Sequence, residues 1–83
     1  MKISKNGMEY SYFTMLFPKG GEFNFFYKDK EYWVSQRRDL NEFYFTIVGY
    51  NTFVFNNPEA LIKCHLIDGK TLYDIWEDLE IVE

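Results

Sequence analysis

The chain has 83 residues, 22% of them aromatic and 47% in the apolar AVILMFWYC set, with a net charge of −4; this acidic, aromatic-rich composition excludes a disordered segment and is too short for two cores. No apolar run approaches the roughly 20 residues that span a bilayer, and Met1 to Gly7 leads into no secretory h-region, so a cytoplasmic protein without a membrane partner is expected. Cys64 is the sole cysteine, which excludes an intramolecular disulfide and agrees with a reducing compartment.

Asn6-Gly7-Met8-Glu9 has the spacing of a helix start, with Asn6 as cap and Glu9 three residues on. Met8, Tyr12, Met15 and Leu16 then recur as one helical face, preferred over the strand that the alternation of Met8, Tyr10 and Tyr12 would also allow, and Pro18-Lys19-Gly20-Gly21 ends the element. From Glu22 to Gln36 the period changes to two. Phe23, Phe25 and Tyr27 alternate, Lys28 to Glu31 is polar, and Tyr32 and Val34 resume the alternation, which predicts a hairpin. With Asp29-Lys30 as its loop, Phe25 faces Val34 and Phe26 faces Trp33.

Arg37 to Asn41 is a polar connector. Phe43, Phe45 and Ile47, the turn Gly49-Tyr50-Asn51, then Phe53 and Phe55 predict a second hairpin. One face of the resulting sheet carries Phe23, Phe25, Tyr27, Tyr32, Val34, Phe43, Phe45, Ile47, Phe53 and Phe55, the expected core. The other carries Phe26, Trp33, Tyr44 and Val54. Asn57-Pro58-Glu59 starts a short helix reaching about Cys64, and Asp68-Gly69 turns the chain. Thr71-Leu72-Tyr73-Asp74 is a capping box, followed by an apolar stripe of Leu72, Ile75, Trp76 and Leu79. Ile81 and Val82 are left as a candidate last short strand. The expected architecture over residues 1–83 is a single α+β domain with an N-terminal helix, a four-stranded antiparallel meander and two C-terminal helices.

The run Gly20-Gly21-Glu22-Phe23-x-Phe25-x-Tyr27-x-x-Lys30-x-Tyr32, then Phe55, Pro58-Glu59-Ala60-Leu61 and Ile67-Asp68-Gly69-Lys70-Thr71-Leu72-x-x-Ile75-Trp76, resembles small uncharacterised α+β proteins of Gram-positive bacteria and their mobile elements. The resemblance spans most of the chain. It implies the same helices and four-stranded sheet and brings no activity, cofactor or catalytic residue.

No constellation carries enzyme chemistry. Cys64 and His65 are adjacent, so on a helix they point about 100° apart and form no dyad, and a zinc site needs three or four ligands where the chain has one His and one Cys. Asp74, Glu77, Asp78 and Glu80 read as a solvated helix face rather than paired catalytic acids. Gly20-Gly21 lacks the strand and helix that flank a phosphate loop. Lys28, Lys30, Arg37 and Arg38 around Phe26 and Trp33 resemble a single-strand nucleic-acid surface, but the acidic balance disfavours that partner. Charge is nonetheless uneven, with seven cations against four anions in residues 1–38 and two against nine in residues 39–83, a pattern that suits intramolecular complementarity as well as steering of a partner.

The surplus aromatic surface therefore sets the functional expectation: no enzyme, no cofactor and no metal, but a protein-interaction or regulatory module, carried by a mobile element on the resemblance above. Its anchors would be Phe26, Trp33 and Tyr44, with Arg37 and Arg38 as rim. A second reading is a small-molecule-binding protein or minor enzyme with a pocket between sheet and helices, using tyrosines and His65. A third is a homodimer formed through the same aromatic face.

Overall fold

Phe23–Tyr27 (β1) and Lys30–Arg37 (β2) form the first hairpin. In this computed structural model, which describes residues 2–82, the turn is Lys28-Asp29. Both residues have positive φ, 50° and 65°, matching a type I′ turn, whose twist fits that of the flanking strands. The expected loop was one residue later, so Phe25 pairs with Tyr32 rather than Val34, and Phe26 with Glu31 rather than Trp33. The correction moves each partner by two positions, and every side chain therefore keeps its expected face.

Glu42–Ile47 (β3) and Asn51–Phe55 (β4) form the second hairpin. A 3₁₀ turn at Arg38–Leu40, closed by Asn41 at φ 52°, returns the chain so that β3 lies antiparallel to β2. The sheet is not the expected four-stranded meander. Glu80–Val82 (β5) pairs with β1, giving five antiparallel strands in the order β4-β3-β2-β1-β5. The candidate short strand at Ile81 and Val82 forms, but three residues carry too short a period to say that they join this sheet or at which edge. What decides both is the outer edge of β1, against which Ile81 is buried opposite Phe25.

Helices cover one face. Tyr10–Leu16 (α1) starts after Glu9, which makes no side-chain cap, so Asn6 is not the cap its spacing suggested. The expected buried stripe is also rotated: Tyr12 and Met15 are 48% and 51% exposed, while Phe13 and Phe17 are buried. Both stripes have helical spacing. Tertiary packing selects the pair of rings that can meet Phe23, Phe43 and Trp76, at centroid distances of 5.0, 5.8 and 5.1 Å. Gly21 follows closely, where a Cβ would come within 3.0 Å of the Leu16 carbonyl oxygen and 2.9 Å of the Phe23 ring.

Pro58–Ile62 (α2) is capped by Asn57, whose Oδ1 accepts the Ala60 N–H at 2.7 Å. It ends at Ile62, short of Cys64. Leu72–Ile75 (α3) is a single turn continued by a 3₁₀ turn at Trp76–Asp78, so the second expected C-terminal helix is reduced to one α-turn. Its stripe of Leu72, Ile75, Trp76 and Leu79 is fully buried all the same. The capping box forms both bonds, Asp74 N–H to Thr71 Oγ1 and Thr71 N–H to Asp74 Oδ2, each 3.1 Å. Among the described residues no helix is long and apolar enough to cross a membrane.

The Thr71 amide and hydroxyl, helped by Lys2 and His65 and opposed by slight desolvation, hold the Asp74 carboxyl below its usual range. A carboxyl depressed by folding contributes stability that is present above its unfolded pKa of about 3.9 and is lost as pH falls through the lower folded value. Asp74→Asn is therefore expected to be less stable than the wild type at pH 6, with the difference shrinking at pH 3. Urea denaturation at the two pH values checks this, and an unchanged difference rejects it.

Candidate functional site

Period-two alternation under a one-sided helical cover leaves the second sheet face open. Phe26, Trp33 and Val54 are 40%, 45% and 54% exposed, and Tyr44 is half-buried among its strand neighbours. The pairing places these residues in an oblique line. Phe26 lies between Glu31 and Glu80, Trp33 between Asn24 and Thr46, and Tyr44 between Ser35 and Val54. Phe26, Trp33 and Tyr44 are thus successive diagonal neighbours, a relation within reach of aromatic side chains. β5 adds Val82 and Glu80, which the sequence reading did not place there. The signal available was their alternation about the buried Ile81.

Two rings are held by carboxylates two residues earlier on the same strand. Trp33 Nε1 donates to Glu31 Oε2 and Tyr44 Oη to Glu42 Oε1, both at 2.6 Å. The bond to Glu42 raises the Tyr44 pKa, desolvation and the Glu42 and Asp39 charges add to it, and Arg37 works in the opposite direction. The phenol consequently remains a donor at neutral pH. Charge-assisted bonds of this kind restrict ring rotation, so the rings present ordered apolar area, and the immobilisation cost on binding is reduced.

The expected cationic rim divides. Arg37 sits at the corner of this face opposite Glu42 and pairs with Asp39 at 3.0 Å, an exposed contact of little energetic worth. Arg38 turns away, its Nη1 approaching the Lys19 carbonyl at 3.5 Å beside Gly20. Lys28 meets Asp68 at 3.9 Å, and Lys30 lies over the Tyr50 ring at 5.7 Å. Lys28 also lines a recess with Phe26 and Lys5, where Asp29, Asp78 and Glu80 offset the cations, and Lys30 and Arg38 are not gathered beside Phe26 and Trp33, where phosphate neutralisation would need them. The open face instead carries Glu31, Glu42 and Glu80 against Arg37.

Elsewhere the chemistry is sparse. Cys64 is half-buried and burial pushes its thiol up, which disfavours the nucleophilic thiolate. His65 is exposed. Glu77 and Asp78 lie on the solvent side, and Asp74 is spent in the capping box. No group of three His, Cys, Asp or Glu side chains among the described residues is placed to hold a metal ion.

Concavities are shallow. An open groove of about 610 Å³ lies beside Asn6, Met8, Tyr12 and Ile81, and a cleft of about 310 Å³ lies among Tyr32, Ile47, Tyr50, Phe53 and Leu66. The remaining space between sheet and helices is filled by Phe13, Phe17, Leu61, Leu72 and Trp76. In comparisons with known proteins, no family model, curated protein or solved structure matches the chain.

Proposed function

We propose that the protein is a non-enzymatic protein-interaction module whose docking surface is the open face of its sheet. Phe26, Trp33 and Tyr44 are the anchors and Val54 extends them. One observation carries the reading: an antiparallel sheet ordinarily turns polar side chains to water, whereas this face turns an oblique aromatic line, two of whose rings are oriented by carboxylates. Aromatic anchors ringed by polar groups are the anatomy of interface centres. The carboxylates around them suit a partner that presents apolar and basic side chains. The lone cysteine supports action in the cytoplasm, and the resemblance to proteins of Gram-positive mobile elements supports a regulatory setting there.

The test is Trp33→Ala together with Tyr44→Ala. Trp33 is exposed and Tyr44 half-buried, both outside the core, so the double variant is expected to lose at most about 2 kcal/mol of stability in urea titration. Its capture of a partner from cell extract should fall by roughly 30-fold or more, the effect of removing hot-spot aromatics. Global unfolding would assign the pair to a core, and undiminished capture would remove the face from the interaction.

A second reading, a small-molecule pocket between sheet and helices, draws on the 310 Å³ cleft lined by Tyr32 and Tyr50. Its volume is at the lower limit for ligand sites, and His65 does not line it. A thermal-shift screen against metabolites should give no stabilisation. A hit abolished by Tyr32→Phe would favour the pocket instead.

A further inference from the structure

The two edges of the sheet are treated differently. At the β5 edge, Ile81 turns its backbone outward and both groups are taken by the Asn6 amide: Ile81 N–H donates to Oδ1 at 3.0 Å and Nδ2 donates to the Ile81 carbonyl. Lys5 N–H donates to the Leu79 carbonyl at 2.8 Å beside it. That edge is closed by a side chain acting as a strand.

The β4 edge is open. Val48 N–H donates to the Glu31 carbonyl at 3.0 Å, so alternate residues 44 and 46 also turn their backbone toward β2, and 43, 45 and 47 toward β4. The hydrogen-bonded pairs of the second hairpin are then Phe45 with Phe53 and Phe43 with Phe55. Thr52 and Val54 are left with N–H and C=O directed outward. Among the described residues only the Thr52 N–H has a partner, the neighbouring Asn51 Oδ1 at 2.8 Å. Asn51 to Phe55 contains no charge and no proline, and so has none of the side chains with which proteins protect an edge.

We propose that two copies of this chain pair antiparallel through β4, about a two-fold axis at Phe53, with Thr52 of each copy opposite Val54 of the other. The occupant is a second copy because the edge is self-complementary. In this register each Val54 N–H meets a Thr52 carbonyl and each Thr52 N–H a Val54 carbonyl, four bonds in all once Asn51 releases its own. No like charges are juxtaposed, and Thr meets Val across the open face, a favourable β-branched pair. Closure of the opposite edge by Asn6 stops growth at two. A five-residue strand pair buries less than the roughly 1,000 Å² of a stable interface, so the dimer is reversible and forms in the micromolar range. It does not depend on the open-face reading, and Trp33→Ala with Tyr44→Ala should leave it intact.

Sedimentation velocity across low to high micromolar concentration is expected to show a monomer–dimer equilibrium. Val54→Pro removes one outward N–H without touching the β3 ladder, and Thr52→Lys with Val54→Lys places charges along the edge. Each should weaken dimerisation at least about tenfold, with circular dichroism confirming the fold. Phe53→Cys in a Cys64→Ser background should form an intermolecular disulfide on mild oxidation, since a residue on the axis faces itself at about 4.5 Å between Cα atoms. Val54→Cys in the same background should cross-link far less. A wild type that stays monomeric at high micromolar concentration, a dimer unmoved by both edge variants, or a Phe53→Cys variant that does not cross-link overturns the proposal.

Discussion

Replacing Trp76 by alanine is expected to remove about 3–5 kcal/mol of stability, the largest effect of any single change proposed for this chain. Trp76 is completely buried. Its ring lies 5.1 Å from Phe13 and 5.3 Å from Tyr10, and its Nε1 donates to the Met8 carbonyl at 2.8 Å. It therefore joins α3, α1 and the N-terminal turn, three elements with little local stability of their own. A domain of this size has about 5–15 kcal/mol in total, so the variant should be partly unfolded near body temperature. Trp76→Phe separates packing from polarity. The Met8 carbonyl also accepts the Ser4 N–H at 2.8 Å, so losing the indole donor does not orphan it, and the hydrogen-bond component should be only about 0.5–1.5 kcal/mol. Urea denaturation followed by circular dichroism measures both. Emission of either variant should be that of a solvent-exposed indole, since Trp33 is then the sole tryptophan. A loss below about 1 kcal/mol for Trp76→Ala would refute the central role given to this ring.

Asn6→Ala should give the next largest effect, about 1–3 kcal/mol from the two bonds to Ile81. The more specific readout is local. Without the amide, β5 becomes an unprotected three-residue edge strand, and hydrogen exchange at Ile81 should accelerate more than at β2 or β3, whose partners lie on both sides. Asn6→Asp retains the acceptor for the Ile81 N–H but sets a carboxylate against the Ile81 carbonyl. It should therefore rescue little. Unchanged protection of Ile81 in Asn6→Ala would show that its outward N–H is not held by Asn6. Loss of the Asn6 clamp also opens the second sheet edge, so the variant is expected to form species larger than a dimer at high concentration.

What the sequence by itself determined are the features governed by neighbours in the chain. Alternation from Phe23 to Phe55 assigned every strand residue to its face, and that assignment survived the shift of the first turn to Lys28-Asp29 because a displacement by two preserves parity. Asn57 and the Thr71–Asp74 box were legible because caps act within three residues. The stripe from Leu72 to Leu79 was legible because no rival spacing competes with it. Only the tertiary structure decided the rest. Asn6 has the local spacing of a helix cap, but its role depends on Ile81, 75 positions away. The buried face of α1 was chosen between two stripes of equal spacing by which rings could reach Trp76. The fifth strand needed the edge of β1, and the openness of the Phe26, Trp33, Tyr44 and Val54 face depended on where the helices docked. Faces are set by a local period; which face is covered, and which edge is closed, is settled by contacts between segments far apart in sequence.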